Sequence, residues 1–444
     1  MQKYPEPIVL SDWSKVPSHY TDQFYNLQIR SSKFEIQTFG LHYYNDALWT
    51  GPYVGVATTE CLKSHGILED RRAIVIQPRF ELDPWQMLNE VFEDDEFSIY
   101  LDDSEKGSTP LFHLYTSERP IAVPQHIADS GEILLYLCFL NACYRLCRKG
   151  LKRSMGKSSK NYSSRIRGKI NIKRNMQLNT MNGRNDRFYC EFPNFTEDNL
   201  ENRILKSALN KVSKPLKDSL HFNPEIEKRV RYCVNMLRHV TEITISSNDF
   251  RTASAAGFYS YYKQSLLLAE SVLKDRFSVP ETSNSGEQKP MMVVTPYMIN
   301  MQLLFELFCR ARLKKTLPGS LELAPYKTAF PVRDRGANVR NLHLSQQLIP
   351  DLIIRRRMDK SVVALFDAKY KESSLASRDD TLQLLAYSLA SAADLVGFMF
   401  PSNSTLNENF DKRVTLRSPF VNNGIPYVEY PVGTNLYWRE DILR

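Results

Sequence analysis

The chain has 444 residues, of which 42% are hydrophobic and 11% aromatic, and carries a net charge of +8. That composition excludes a disordered chain, and the length exceeds a single core, which rarely grows past about 250–300 residues, so two or three domains are expected. No apolar run reaches the roughly 18–20 residues of a membrane span, and residues 1–6 open no apolar signal core, so a cytoplasmic protein with no membrane partner is expected.

The first 125 residues read as a small α+β module. Residues 34–39 alternate in polarity, 53–57 are rich in β-formers and 73–78 form an apolar run ending at a proline. Asp83 and Pro84 then supply an N-cap and first helical residue ahead of Trp85, Met87, Leu88 and Val91. The acidic run Glu93-Asp94-Asp95-Glu96 reads as a solvated face, or as a surface for something basic.

Residues 126–280 are predicted to be mainly helical. Apolar residues are dense from 130 to 148, and Leu200, Ile204, Leu205, Leu209 and Val212 recur at three- and four-residue spacing. Two more helices are expected at 224–242 and 258–276. Between the first two lies a basic segment: residues 145–174 hold twelve lysines and arginines and no acid. Its cations Arg165, Arg167, Lys169, Lys173 and Arg174 suit DNA phosphates, with Ser158, Asn161 and Tyr162 as hydrogen-bonding company, or else the face of a partner protein. Gly168 between two cations predicts a tight turn presenting them at a tip. Residues 278–290, with two prolines and a glycine, read as a linker, and 281–290 is taken as the domain boundary.

In residues 291–444 the order changes to helix (295–315), β-like segments (321–332, 348–354 and 361–370), helix (379–392) and strand (395–400). The apolar strands without alternation imply a sheet covered on both faces, in α/β order. Asp367 and Lys369 lie two apart at the end of one apolar strand and therefore share a face. Asp351 borders another apolar strand sixteen residues earlier. Such charges are costly to bury unless they pair or hold a metal. Hard carboxylate oxygens suit Mg²⁺, with Mn²⁺ as a substitute, and a lysine can orient the attacking water of a phosphodiester hydrolysis. Asp351, Asp367 and the Ala368 carbonyl are the expected metal ligands.

Pro350-Asp351 followed by Asp367-Ala368-Lys369 resembles the PD-(D/E)xK nuclease signature. Glu306, on the preceding helix, stands where that superfamily often places a supporting acid, and Gln383 with Tyr387 matches its Q-x-x-x-Y element. A lone D-A-K tripeptide is commonly a solvated strand end, so the ordered set carries the specificity. Val54-Gly55-Val56, the run from Ala73 to Arg79 (with Gln77 where a lysine is expected), Arg165-Ile166-Arg167-Gly168-Lys169 and Glu197-Asp198-Asn199-Leu200-Glu201-Asn202-Arg203 resemble the McrC family, the endonuclease subunit of McrBC-type restriction systems. The resemblance implies an α+β amino-terminal and a helical middle region joined to an α/β PD-(D/E)xK nuclease domain with a central mixed sheet. It further implies a hexameric AAA+ GTPase partner of the McrB type, docked by the amino-terminal module of residues 1–125, and double-stranded DNA with modified cytosine as substrate.

Two other motifs fall short. Gly156-Lys157-Ser158 lacks the glycine that a Walker A loop needs, since Leu151 stands there. The seven cysteines form no C-x-x-C pair and join no histidine at zinc spacing, so buried or free thiols are expected. The expected function is a Mg²⁺-dependent endodeoxyribonuclease with Asp351, Asp367, Lys369, Glu306 and Gln383 at its centre. The alternatives are a non-catalytic activator of an AAA+ motor and a DNA-repair nuclease of the same superfamily.

Overall fold

The structure is a computed structural model that describes residues 7–21, 24, 35–59, 72–94, 110–115, 121–219, 224–253, 255–273, 279–280, 290–329, 348–372, 377–391, 393–401, 414–416 and 425–432. The chain forms two compact units, Met1–Gly131 with Ser278–Arg444, and Glu132–Phe277. Among the described residues no helix is long and apolar enough to cross a membrane.

The first unit contains two larger sheets. One has five strands in the order Ile8–Ser11, Arg72–Gln77, Tyr53–Thr59, Tyr297–Asn300, Phe112–Leu114. Its core gathers Ile8, Leu10, Leu41, Tyr53, Ile74, Ile76 and Met298. At Gly55 the backbone has φ +146° and a Cβ would run into the Tyr297 carbonyl oxygen, so this close approach of two strands requires glycine. The helix Pro84–Phe92 starts as predicted, with the Asp83 side chain accepting from Trp85 N at 2.9 Å.

Several features of this unit depart from the sequence reading. Residues 36–38 form a 3-10 turn instead of a strand, because Thr38 bonds back to the Glu35 carbonyl (3.0 Å) and Phe39 takes the left-handed conformation; Phe34 lies outside the described residues. The helix expected from residue 295 begins at Met301, where Asn300 caps it, and Tyr297–Asn300 is a strand inside the amino-terminal sheet. The expected boundary at 281–290 therefore does not divide the chain: residues on both sides of it belong to one unit. Val279–Pro280 and Pro290–Val294 are strands, the latter paired with Ile121–Pro124, while residues 281–289 lie outside the described residues. The acidic run is also partly neutralised from within, as Glu90, Glu93 and Asp94 on or just after Pro84–Phe92 pair with Arg312, Lys315 and Lys314 of Met301–Thr316. Asp95 and Glu96 lie outside the described residues.

The other sheet of this unit has six strands in the order Leu321–Leu323, Leu352–Arg356, Val362–Ala368, Leu395–Pro401, Ile425–Val432, Val414–Leu416. It is mixed, since Val362–Ala368 runs antiparallel to Leu352–Arg356 and parallel to Leu395–Pro401. The helix Arg378–Ser391 supplies Leu384 and Tyr387 to a core with Ile353, Leu365, Val396 and Phe398. Of the β-like stretch expected at 321–332, only Leu321–Leu323 is a strand, and residues from 330 lie outside the described residues.

The second unit holds the predicted helices, at Gln125–Lys149 (from Glu132 on), Leu200–Ser219, Pro224–Met236 and Tyr262–Leu273. It is not mainly helical throughout. Ser154–Ser163, which the sequence presents as a polar connection, is a ten-residue strand antiparallel to Arg187–Thr196, with Lys169–Ile170 on the other side. One face carries a small apolar cluster of Tyr162, Cys190 and Phe192, with Ile170 and Phe188 packed against it, while Met155 and Phe195 stay exposed. Gly168, at φ +73°, makes the expected turn, where a Cβ would meet the Glu191 carbonyl oxygen.

Candidate active site

The carboxylates are set by strand register. Leu352 faces Phe366 across the antiparallel pair, and the same register continued by one residue sets Asp351 opposite Asp367. The two strands then share a second link, the Ala368 N–H donating to Asp351 Oδ2 at 2.8 Å. Asp367 is 2% exposed and its Oδ2 lies 2.6 Å from Lys369 Nζ. Lys369 is fixed at its backbone by donation to the Met399 carbonyl (2.8 Å). Its ammonium also lies 3.3 Å from Gln383 Oε1 and 3.3 Å from Asp380 Oδ1.

The Arg378–Ser391 helix is tied to the site through the residue pair that the sequence singled out. Gln383 Nε2 donates to Tyr387 Oη at 2.6 Å, and that hydroxyl donates to the Ile349 carbonyl at 3.2 Å. Gln383 thus spans from the lysine to the chain entering Asp351. Glu306 approaches from Met301–Thr316, the helix that the amino-terminal sheet launches from Asn300, and hydrogen-bonds Tyr326.

The electrostatics describe a site with more negative charge than it can settle. Burial pushes Asp351 well up, and Glu306 and Asp367 push it further, against the Ala368 N–H and Lys369. Burial, then the charge of Asp367, raises Glu306 from 4.5 to about 7 despite Arg310 and Lys327. Asp367 is raised by burial, although Lys369 opposes this. Burial would lower Lys369, but the charges of Asp367, Asp380 and Asp351 hold it above its usual value. Hard carboxylate oxygens suit Mg²⁺, whose charge would offset the repulsion among these carboxylates. Asp351 and Asp367, set opposite each other by register, are the side chains that could hold it, with Glu306 coupled to them by charge. Among the described residues the three carboxylates do not bring ligand oxygens within 4.8 Å of one another. Ala368 enters the geometry through its N–H.

Several participants escaped the sequence reading. Asp380 caps the Arg378–Ser391 helix through Ser377 N (2.7 Å) and Ser377 Oγ (2.8 Å) and pairs with both Lys371 and Lys369. Burial opposes its ionisation, yet Lys371 and Ser377 hold its carboxyl well below the usual range. The Ser-x-x-Asp spacing of a capping box was its available signal. Arg79 Nη2 donates to the Tyr370 carbonyl at 2.5 Å, next to Lys369, while Arg79 N donates to Asp12 Oδ1 at 2.7 Å. Burial raises Asp12 to about 6. Tyr370 packs edge-on to Phe80 (5.1 Å between centroids), so the amino-terminal sheet braces the chain immediately after the lysine. Nothing local in the sequence joins residues 291 positions apart.

The five cations of the basic segment lie elsewhere, exposed in the Glu132–Phe277 unit. Arg165 stacks on Tyr162 (5.1 Å) and Arg167 on Phe192 (4.3 Å), so both are held at the turn by aromatic faces. Around them Ile166, Ile172, Met176 and Met181 are 56%, 72%, 52% and 77% exposed.

No curated protein matches the chain. Among solved structures it is similar to a chain of the refined half-complex from a tetradecameric assembly of Thermococcus gammatolerans McrB AAA+ hexamers with bound McrC. That match has 16% identity and a TM-score of 0.39, covering 98% of each chain. A second similar chain is in the cryo-EM structure of the Thermococcus gammatolerans McrBC complex, at 15% identity and a TM-score of 0.30, covering 69% of this chain and 86% of that one. The family model of the McrBC 5-methylcytosine restriction system component matches residues 50–401, most of the sequence, and the chain belongs to that family.

Proposed function

We propose that this chain is the endonuclease subunit of its restriction system, hydrolysing phosphodiesters of double-stranded DNA that carries modified cytosine. The observation that supports this most is the register setting Asp351 opposite Asp367, with Lys369 two residues on along the same face. Asp351 and Asp367 would hold Mg²⁺, or Mn²⁺, with the Ala368 carbonyl as a further oxygen and Glu306 and Gln383 in support. Bound there, the cation supplies charge neutralisation at the scissile phosphate and a more acidic water.

The protein's own contribution is positional. Ala368 N–H fixes the Asp351 carboxylate, leaving its other oxygen for a ligand. Lys369 lies within reach of Asp380 and Gln383 as well as Asp367, so it would stay near the site if Asp367 held a cation. From there its ammonium orients the attacking water and offsets charge on the pentavalent phosphate. Glu306, held at about 7 in the metal-free site by burial and by the charge of Asp367, is the supporting acid beside Asp351 and Asp367.

In this reading the partner is a hexameric AAA+ GTPase of the McrB type, met in the cytoplasm, and Arg165, Arg167, Lys169, Lys173 and Arg174 face it. Exposed Ile166, Ile172, Met176 and Met181 among those cations favour a protein surface over bare phosphate, because apolar side chains gain from covering and phosphates cannot cover them. The test is a nicking assay on methylated plasmid with Mg²⁺ and the partner. Asp367→Ala and Lys369→Ala should cut at least about 10²–10³-fold more slowly while still stimulating the partner's nucleotide hydrolysis. Undiminished cutting by purified Asp367→Ala protein would assign the nuclease elsewhere and leave this chain as an activator.

A further inference from the structure

Inside the Glu132–Phe277 unit three thiols converge. Cys143 and Cys147 are one turn apart on Gln125–Lys149, a spacing that puts both on one face, and Cys233 meets them from Pro224–Met236. Their sulfur atoms all lie within 4.8 Å of one another, and all three residues are buried. A cysteine used only as a small apolar filler gains nothing from having its sulfur next to two others. Three that converge from two helices form a donor set.

We propose that Cys143, Cys147 and Cys233 are a tris-thiolate site for a soft d10 cation, Zn²⁺ or Cu(I), which ties the two helices together. Zinc–thiolate bonds of about 2.3 Å put tetrahedrally arranged sulfurs about 3.8 Å apart, a spacing that small side-chain rotations reach from the present one. Sulfur donors select such ions over the Mg²⁺ that suits the carboxylate site. Among the described residues no histidine, aspartate or glutamate joins the group, so a zinc ion would keep one position for a non-protein ligand, while Cu(I) is satisfied by three sulfurs.

Arg229, one turn before Cys233 and 5% exposed, places a positive charge beside the group. Zn²⁺ binding by three thiols would release up to about three protons and leave a complex of charge about −1 near Arg229, with no change in oxidation state.

The site is independent of the nuclease reading, and its test keeps the two apart. The full chain, freed of metal under nitrogen with reductant, is titrated with Co²⁺ as a spectroscopic stand-in for Zn²⁺. In parallel it is titrated with Cu(I) against a chromophoric Cu(I) chelator. The expected result is a thiolate-to-cobalt charge-transfer band saturating near one equivalent and displaced by Zn²⁺, or stoichiometric Cu(I) capture, and the arm that responds identifies the ion. Binding should weaken at least about tenfold in Cys147→Ser and Cys233→Ser, and stay unchanged in Cys138→Ser and in Asp367→Asn. Should the serine variants fail to fold, the wild-type chain still decides, because its melting temperature should rise with Zn²⁺ or Cu(I) and protons should be released. A wild-type chain that shows no band, no capture and no such rise, or a band that survives Cys233→Ser in a folded protein, overturns the proposal.

Discussion

Two buried polar clusters in this protein are built from similar residues and solve opposite problems. Around Asn202, which is fully buried, every group is answered. Its amide donates to the Lys152 and Glu197 carbonyls (3.0 and 2.6 Å) and its oxygen accepts from Tyr262 Oη (2.7 Å), while Lys152 pairs with Glu201 (2.8 Å). Asp198 accepts from Arg203 and Thr241, and the Arg203 hydrogen bond in particular holds it well below its usual range. Around Asp367 the carboxylates Asp351, Glu306 and Asp367 are all raised, with Lys369 the cation held directly against them. A satisfied network specifies structure, whereas a frustrated one is kept because something else completes it. The run from Glu197 to Arg203 is by this argument a structural clamp at the start of a helix.

The sharpest way to break the contrast is to mutate both clusters and measure activity per folded molecule. Asn202→Ala should cost about 2–4 kcal/mol of stability, from three lost partners of a buried amide, and leave the cutting rate of the folded fraction near wild type. Asp367→Ala should remove cutting. Equal loss of activity per folded molecule in both would abolish the distinction.

Acidity gives the next largest effect. Glu306 has a folded value of about 7 against an ordinary 4.5, so the metal-free folded state binds its proton more tightly than the unfolded chain does. Its contribution to stability therefore falls as pH rises from about 4.5 to 7 and is flat above. Glu306→Gln should raise the metal-free stability at pH 8, by up to about 3 kcal/mol, and abolish that slope. Mg²⁺ affinity of the wild type should increase as pH rises through about 7, as titration calorimetry can read. Affinity that falls with pH would contradict a carboxylate site.

Arg79 sharpens the comparison from outside the cluster, because its guanidinium donates to the Tyr370 carbonyl beside the lysine while lying over the Trp13, Phe80 and Tyr370 rings. Arg79→Ala should slow cutting by about tenfold and cost about 1–3 kcal/mol, through a charged hydrogen bond lost and a carbonyl left to shift. The smallest effect is expected from charge reversal at Arg165, Arg167, Lys169, Lys173 and Arg174. DNA binding by the isolated chain should keep its salt dependence, whereas contact with phosphates would flatten the log–log slope by roughly 0.9 per lost contact. Stimulation of the partner should fall.

Local patterns carried much of this protein. The Asp83 cap, the dense apolar helix ahead of Lys149, and the run Val362–Ala368 ending in Asp367-Ala368-Lys369 each announce themselves, because capping and periodicity act within a few residues. The pairing of Gln383 with Tyr387 follows from a single helical turn. What the sequence could not supply were relations between distant segments. Ser154–Ser163 reads as a polar connection until Arg187–Thr196 lies beside it, since a strand's hydrogen bonds are made with another strand and leave no local trace. The apparent linker at 281–290 hid the return of Tyr297–Asn300 into the amino-terminal sheet, because long-range β-pairing is not written in composition. The same holds for the chemistry. Residue types and spacing determined which side chains were available; register, burial and mutual charge, which only tertiary packing sets, decided that ionisation of Asp351 and Glu306 is opposed, that Arg79 braces Tyr370, and that Cys233 meets Cys143 and Cys147.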